Sequence, residues 1–403
     1  MAEDVATRVR VLPPPAERYT LLGWVQKNLF STWYNALLTV VVLLLVYAVF
    51  VPAIDWFFSE AQWEVVRVNI RLLMAGQYPR DQLWRAWLCV HLLAAIVGLT
   101  WGVYARGRWM LAAVLLLAPL TLALLPGMGT EGRLHLIAVD VIALVAFGLG
   151  RLGGLTLRRT VVGAWVFYFP LVILIIRGLT PTQGWFRIVP TNLWGGLLLT
   201  FLLTVVGISL SFPLGILLAL GRRSRLPVIR WASIVYIEVI RGVPLVTILF
   251  MASTMVPLFL PGGIRPDNVL RAMIGITLFS AAYLAENVRG GLQAIEQGQY
   301  EASHALGLSG VQTMAIIILP QALRLVIPVL VGQFISLFKD TTLVATIGLL
   351  DLLGIARSVL AQPQFVGFQR EVLLFITMIY WIFSYFMSLI SQRLEAALGL
   401  GER

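Results

Sequence analysis

The stretch QYEASHALGLSGVQTMAIIILPQ, residues 299–321, is a polar island between two long apolar segments. Its first ten residues suit a short helix with Glu301 near the start, where a carboxylate favours the positive end of the helix dipole. Gly307 and Gly310 permit turns, VQTMAIII suggests a second short apolar helix, and Pro320 marks the beginning of the next long segment. Since the stretch holds no obvious nucleophile and no group of metal ligands, we expect a projecting helix whose apolar face fits a groove on a partner.

The chain around this island has the composition of a membrane protein. Of its 403 residues, 59% are apolar and only 12% are charged, with a mean hydropathy of +0.89. Soluble domains average about 25% charged residues, and a helix needs roughly 20 apolar residues to cross a bilayer. Because lipid cannot satisfy backbone polar groups, spans of this kind are helical. The predicted fold class is therefore all-α, a polytopic membrane protein with about ten transmembrane helices.

The apolar runs divide into an N-terminal and a C-terminal set. The predicted domains are a polar tail over 1–34, an extension of about five spans over 35–180 and a five-span core over 190–395. A join rich in Pro, Gly and Thr separates the extension from the core. The ten spans are predicted at 35–57, 84–105, 109–127, 134–150, 160–177, 192–220, 243–261, 269–292, 321–340 and 371–392.

The basic residues between the spans predict the orientation in the membrane. Outside the spans, 17 Lys and Arg residues fall on one side and 9 on the other. The positive-inside rule then places both termini and the polar island in the cytoplasm. The net charge of +11 is explained in the same way, because no soluble domain presents the basic face that nucleic-acid binding requires.

The spacing of fixed residues in the island resembles the EAA loop of permease subunits from binding-protein-dependent (type I) ABC importers. Every fixed position of that loop agrees except the third, where Ser303 replaces Ala. The resemblance implies that residues 299–320 are a cytoplasmic coupling loop, whose coupling helix sits in a cleft of a separate ATPase subunit. It assigns ATPase coupling to Glu301, Ala302, Ser303, Gly307, Ile317, Leu319 and Pro320.

Three further segments resemble the polar amino-acid branch of this family. They are YIEVIRGVPLVTILF at 236–250, YLAENVRGGLQAIEQGQYEA at 283–302 and LFKDTTLVATIGLLDLLGIA at 337–356. With the long N-terminal extension, they imply the larger permease subunit of a general L-amino-acid importer in the bacterial inner membrane. The implied partners are two ATPase subunits, a second permease subunit in a heterodimer or homodimer, and a periplasmic amino-acid-binding protein. ATP and Mg²⁺ would bind the ATPase, so we expect no cofactor in this chain.

Glu286 and Arg289 are the first candidates for a substrate path. They stand three residues apart on one predicted span, a spacing that allows them to pair. Charges inside a membrane are costly and are usually paired or functional. The pair either lines the path or is a structural ion pair near the cytoplasmic boundary.

Lys339 and Asp340 end another span and are followed by Thr341 and Thr342. An unbroken helix from Pro320 would rise about 28 Å to this group, which places it near the outer mouth of the membrane. These four residues are predicted either to contact the α-amino or α-carboxylate group of a substrate, or to anchor the span at the interface.

Several other site classes find little support in the sequence. The chain contains no G-x-x-x-x-G-K-[ST], so we expect no ATP binding by a P-loop and no enzymatic activity. Its three histidines, at 91, 135 and 304, are scattered, which argues against a metal site. Gly98 and Gly102 form a GxxxG pattern that indicates close helix packing.

Two alternatives to an ABC permease subunit stay open. An ion-coupled secondary amino-acid transporter would need buried acids near the midplane, for which Glu286 and Asp140 are the candidates. The other alternative is a structural or signalling membrane subunit without transport activity.

Overall fold

The computed structural model describes residues 21–104, 119–120, 123, 129–153, 155–181, 184–261 and 266–397, and these ranges are predominantly helical. Within them, β-type pairing is limited to two isolated bridges, Thr180 with Arg187 and Gly196 with Asp351. The predicted all-α fold class is confirmed.

The first of two compact units ends at Trp63. It contains helix α1 (Leu21–Leu29) and helix α2 (Trp33–Asp55), which continues as a π turn over Trp56–Glu60. Between the two helices, the Thr32 hydroxyl accepts a hydrogen bond from the Asn35 N–H at 3.4 Å and caps α2. The 28 residues of α2 and its π turn rise about 42 Å, enough to span a bilayer. They correspond to the first predicted span.

The second unit begins at Glu64 with the rest of the extension. The predicted packing at the GxxxG pattern is confirmed, because a methyl group on Gly98 would overlap the Ala143 carbonyl oxygen and one on Gly102 would overlap that of Phe147. The predicted span at 109–127 lies outside the described residues except at 119–120 and 123. The extension helices here are α3 (Glu64–Ala75), α4 (Leu83–Tyr104), α5 (Thr130–Leu152) and α6 (Leu155–Arg177).

The core is built around two helices, α7 and α10, that run in the same direction. Gly207 of α7 lies against Ile276 of α10, and Gly215 lies against Leu284 further along both helices. Helices α8 and α9 form a pair bent by 110°. The core helices are α7 (Gly196–Arg222), α8 (Pro227–Gly242), α9 (Leu245–Phe259), α10 (Asn268–Gln293), α11 (Gln297–Ala305), α12 (Leu319–Asp340), α13 (Leu352–Leu360) and α14 (Gln369–Ala397).

Apolar side chains bury themselves in two clusters along these helices. We call the end that holds Arg222 and Gln293 the loop end, and the end that holds Gly196 the far end. The loop-end cluster includes Leu284 and Ala322. The far-end cluster joins residues of the extension to the core; its members include Tyr78, Ile176, Leu199, Ile276 and Val344. The extension after Glu64 is therefore packed on the core rather than tethered to it.

The described residues contain eight helices long and apolar enough to cross a membrane. The bent pair α8 and α9 makes a ninth if it counts as one span. These nine correspond to nine of the ten predicted spans, and the tenth falls on residues 109–127. The chain is thus a multi-pass membrane protein of about the predicted size.

Candidate functional site

The coupling loop begins with α11, which starts earlier than the sequence suggested. Helix α11 follows Glu296, and Glu301 is its fifth residue and exposed, so the prediction that Glu301 lies near the helix start is wrong. The cause lies upstream, because Ile295 and Tyr300 pack against the loop-end cluster. These two apolar anchors fix the chain around the first turn and let the helix form there.

Gly307 ends α11 in the predicted turn. The Gly307 N–H donates to the His304 carbonyl at 2.9 Å and the Leu308 N–H donates to the Ser303 carbonyl at 3.1 Å. This pair of bonds is a Schellman motif, which requires a left-handed residue after the helix. Gly307 has φ +75°, and a side chain there would meet no atom within 4 Å. The position therefore requires glycine for its backbone conformation and not for space.

The second half of the loop differs from the prediction of a separate short helix. The Ser309 hydroxyl accepts from the Gln312 N–H at 3.4 Å, and the Gln312 side chain accepts from the Ser309 N–H at 2.9 Å. This capping box starts a helix that runs without a break over Gly310–Ile347. A π turn over Thr313–Ile318 precedes Pro320, whose missing N–H is tolerated because the hydrogen-bond pattern already shifts there.

Ser303 is buried, although it lies in an exposed helix. It is 3% exposed, and its hydroxyl donates to the Gln299 carbonyl at 2.6 Å. Gln321 of α12 donates to the Gln299 side chain at 3.2 Å and to the Ile317 carbonyl at 3.0 Å. The hydroxyl that departs from the family pattern is thus satisfied inside the chain, and Gln321 ties α11 to α12.

The predicted coupling residues divide into an outward and an inward set. Glu301, Ala302, Gly307 and Pro320 are exposed, whereas Ile317 and Leu319 pack against the loop-end cluster. The largest exposed apolar side chains of the loop were not among the residues assigned to ATPase coupling. They are Leu306 at 80%, Val311 at 80% and Ile316 at 62% exposure.

A network of ion pairs surrounds Glu286 near the loop end. Arg289 Nε donates to Glu286 Oε1 at 2.8 Å, as the spacing of the two residues predicts. Arg222 Nη1 lies 3.4 Å and Arg241 Nη1 lies 3.9 Å from Glu286 Oε2. Arg222 also pairs with Glu238 at 2.9 Å. The network joins α7, α8 and α10, and its long-range members carry no local signal in the sequence.

Arg223, at the end of α7, joins that helix to the coupling loop. Arg223 Nη1 donates to the Tyr300 hydroxyl at 3.2 Å and to the Leu292 carbonyl at 3.4 Å. The end of α7 is therefore bonded to α11 as well as to α10.

A cavity of about 390 Å³ with both polar and apolar lining residues lies between α10 and α12. Asn287 donates to the Gln333 side chain at 2.6 Å, and Gln333 donates to the Ser280 carbonyl at 3.0 Å. These residues recur at helical spacing among apolar neighbours, a signal that the search for charged residues missed. The cavity is lined by Phe279, Ser280, Tyr283, Asn287, Val329, Gln333, Ser336, Leu337 and Asp340.

The structure separates the predicted group at the end of α12. Asp340 lines the cavity, whereas Lys339 is exposed. Thr341 is fully buried and donates to the Phe338 carbonyl at 2.8 Å, and Thr342 donates to the Lys339 carbonyl at 2.8 Å. Both threonine hydroxyls are thus engaged within their own turn. A 3₁₀ segment over Thr341–Ile347 continues the span beyond Asp340.

Two of the three histidines meet in the extension. The rings of His91 and His135 lie 5.3 Å apart, and Trp87 stacks on His135 at 4.6 Å. The expectation that the histidines are scattered is corrected for this pair. Nevertheless, the described residues contain no group of three or more His, Cys, Asp or Glu that could hold a metal ion.

Comparison with known proteins places this geometry in context. The family described as "Binding-protein-dependent transport system inner membrane component" matches residues 211–399. The chain is 38% identical to the inner membrane amino-acid ABC transporter permease protein YhdY of Escherichia coli (strain K12), over 96% of each chain. It is 36% identical to the glutamate/glutamine/aspartate/asparagine transport system permease protein BztC of Rhodobacter capsulatus, over 100% of each. A shorter relative is the probable glutamine ABC transporter permease protein GlnP of Bacillus subtilis, 36% identical over 50% of this chain and 92% of that protein.

Proposed function

The chain belongs to the family of inner-membrane permease components of binding-protein-dependent transport systems, and we propose that it carries L-amino acids through the bacterial cytoplasmic membrane. It is a subunit of an ABC transporter and a transport component rather than an enzyme. The two relatives that match nearly its whole length are named as amino-acid transport permeases. Their names favour this function over an ion-coupled secondary transporter.

The observation that carries the proposal is the coupling loop. The coupling loop at the loop end exposes Leu306, the C-cap residue of α11, and Val311, which lies in the helix that begins at Gly310. Nothing in the described chain covers these two side chains. Exposed apolar side chains on a polar projection mark an interaction surface, and a short helix of this kind fits a groove. We assign that groove to an ATPase subunit, where Glu301, Ala302 and Leu306 make contact.

Movement of α11 would reach the spans through bonds already described. Tyr300 anchors α11 in the loop-end cluster and bonds Arg223 of α7, while Gln321 ties α11 to α12. Closure of two ATPase subunits on ATP binding would therefore displace α7 and α12 together. Ser303, Ile317 and Leu319 pack the coupling loop against the spans during this movement. Gly307 and Pro320 determine the path of its backbone.

The cavity between α10 and α12 is the proposed substrate path. The Asp340 carboxylate suits the α-ammonium group of an amino acid, and the amides of Asn287 and Gln333 can donate to its carboxylate. Glu286 and Arg289 follow toward the loop end, where their pairing can open or close the path. Lys339, Thr341 and Thr342 stay candidates for contact in another conformation of the transport cycle.

The proposed complex contains two ATPase subunits, a second permease subunit and a periplasmic amino-acid-binding protein. The larger number of Lys and Arg residues on the side of the coupling loop supports a cytoplasmic loop end and cytoplasmic termini. ATP and Mg²⁺ belong to the ATPase subunits in this arrangement.

Cysteine crosslinking tests the coupling contact directly. The only native cysteine, Cys89, is buried, so an engineered cysteine is the single accessible thiol. We expect Leu306→Cys to crosslink to the ATPase subunit in membranes. Leu258→Cys at the far end of α9 is the control, because Leu258 is equally exposed at 79%. Equal crosslinking of both variants, or of neither, would contradict the proposed contact.

A further inference from the structure

The N-terminal extension builds a surface at the far end of the molecule. The shorter relative matches only half of this chain, and the family region starts at residue 211, so the extension has a role that a minimal permease does not need. Helix α3 packs on α7 so closely that a methyl group on Gly196 would overlap the Leu73 carbonyl oxygen. The Gly196 N–H also donates to the Leu350 carbonyl at 2.8 Å. Helix α3 is thus a fixed part of the far end and not a loose segment.

The outward face of α3 carries a charged pair in its first turn. Val65, Val66 and Leu73 are buried. On the opposite face, Arg67 pairs with Glu64 at 2.7 Å, and both side chains are more than half exposed. Because α3 is too short and too polar to span the membrane, this face lies along the surface of the far end.

Three further arginines extend this surface: Arg71 of α3, Arg80 of the loop after α3 and Arg187 of the loop before α7. Arg187 pairs with Asp81 at 2.9 Å, and Arg71 donates to the Tyr78 carbonyl at 3.4 Å. The pKa of Arg71 lies below its ordinary value, because partial burial disfavours the charged form and because Arg80 stands nearby. Among the described residues, neither Arg71 nor Arg80 forms an ion pair. We call Glu64, Arg67, Arg71, Arg80, Asp81 and Arg187 the far-end patch.

The net positive charge of the far-end patch favours an anionic partner. It holds four arginines and two carboxylates, and neither Arg71 nor Arg80 is paired with a carboxylate in the part of the chain that the structure describes. If the loop end is cytoplasmic, the patch is periplasmic, where the positive-inside rule disfavours such arginines. An acidic partner surface would remove the like-charge repulsion and would steer association.

We propose that the far-end patch docks the periplasmic amino-acid-binding protein through acidic side chains of that protein. The proposal rests on the proposed function, because it takes the existence of a binding protein from it. It assigns the extension the task of adding a charged docking platform beside the core.

The test uses the complete complex in nanodiscs, with ATPase activity measured against the concentration of the binding protein that stimulates it. We expect R71E/R80E to raise the half-saturating concentration about tenfold, since reversing charges at an interface slows association. Basal ATPase activity and the rate at saturation stay unchanged. The wild-type half-saturating concentration should rise with added salt, whereas that of the variant should not. R71Q/R80Q should give a smaller rise and covers the case in which R71E/R80E fails to assemble.

Arg230→Glu is the matched control, because Arg230 is exposed at the loop end and the described residues offer it no ion pair. Its half-saturating concentration should equal that of the wild type. An unchanged value in R71E/R80E overturns the docking proposal while the proposed function stands. A rise that appears only in nanodiscs with anionic lipid also overturns it, since the patch would then bind lipid headgroups. Wild-type complex that no binding protein stimulates would overturn the proposed function itself.

Discussion

Gly307 links the sequence pattern of the coupling loop to a physical requirement. Its φ of +75° lies in the left-handed region, and the space around it is open. The glycine therefore supplies a backbone conformation that lets two carbonyls at the end of α11 find donors. Gly310, three residues later, has no positive φ and equally open surroundings, so the two glycines form a natural comparison.

The effect of a substitution at Gly307 should depend on whether the new residue tolerates the left-handed backbone conformation and not on the size of its side chain. A left-handed conformation costs most residues about 1–2 kcal/mol, and Asn tolerates it better. We expect Gly307→Val to reduce amino-acid uptake at least tenfold, and Gly307→Asn and Gly310→Ala to retain most of it. Uptake of labelled amino acid by cells that express equal amounts of each variant measures the effect. A larger loss for Gly310→Ala than for Gly307→Val would contradict the assignment.

Ser303 should behave as a buried small residue. Its hydroxyl donates to the Gln299 carbonyl within its own helix and forms no other hydrogen bond in the described part of the chain. Ser303→Ala should therefore keep uptake within about twofold of the wild type, because an intrahelical hydrogen bond contributes only about 1 kcal/mol. Ser303→Leu should abolish uptake by displacing α11, since buried sites tolerate overpacking poorly. A severe loss in Ser303→Ala would instead indicate that the hydroxyl contacts a partner.

Substitution of Asp340 and of its neighbour Lys339 tests whether the cavity is the substrate path. Only Asp340 of the two lines the cavity. We expect Asp340→Asn to lower uptake about tenfold and Lys339→Gln to change it less than twofold. Kinetics in proteoliposomes should place the Asp340→Asn effect on the half-saturating substrate concentration if the carboxylate binds the ammonium group. The reverse order of effects would move the path away from the cavity.

Local and distant contacts differ in how far the sequence could predict them. The Gly307 turn and the pair of Glu286 with Arg289 arise from residues within a few positions of each other, and both were predictable. Arg222 also reaches Glu286, but 64 residues separate them in the chain. Such a contact follows from the packing of α7 against α10, which spacing along one helix cannot reveal.

At the scale of elements, the ion-pair network connects α7, α8 and α10 near the loop end. Glu286 is its centre, because three arginines surround one carboxylate whose side chain is 20% exposed. Glu238 is at the edge, with a side chain 55% exposed. The same two helices, α7 and α10, carry the contacts that lead to the coupling loop. The ion-pair network therefore links the stability of the core to the position of α11.

The two acids of the network should differ in their effect on stability. Removal of the central carboxylate leaves the partly buried Arg241 and Arg289 without an ion pair, which costs several kcal/mol, whereas an exposed pair contributes about 0–1 kcal/mol. We expect Glu286→Gln to lower the apparent Tm of the purified complex by several degrees and Glu238→Gln to change it by about one degree or less. Thermal unfolding followed by intrinsic tryptophan fluorescence measures both. Equal Tm shifts in the two variants would contradict the central role of Glu286 in the network.

Span positions were predictable from the sequence, but the continuous helix after the coupling loop and the size of the bend between α8 and α9 were not. Apolar runs locate nine spans because hydrocarbon demands length and composition alone. The helix from Gly310 stays continuous through the π turn over Thr313–Ile318, and the 110° angle between α8 and α9 depends on tertiary packing. The cavity was missed for a similar reason, since its amides and hydroxyls come together only when α10 lies beside α12.

At the scale of the whole molecule, the central claim is that this chain needs partners for its energy. The reconstituted complex of this chain, its second permease and its ATPase subunits tests the claim in proteoliposomes. We predict amino-acid uptake that requires both ATP and the binding protein, and that persists when ionophores abolish proton and sodium gradients. Uptake by this chain alone, driven by an ion gradient without ATP, would contradict the account.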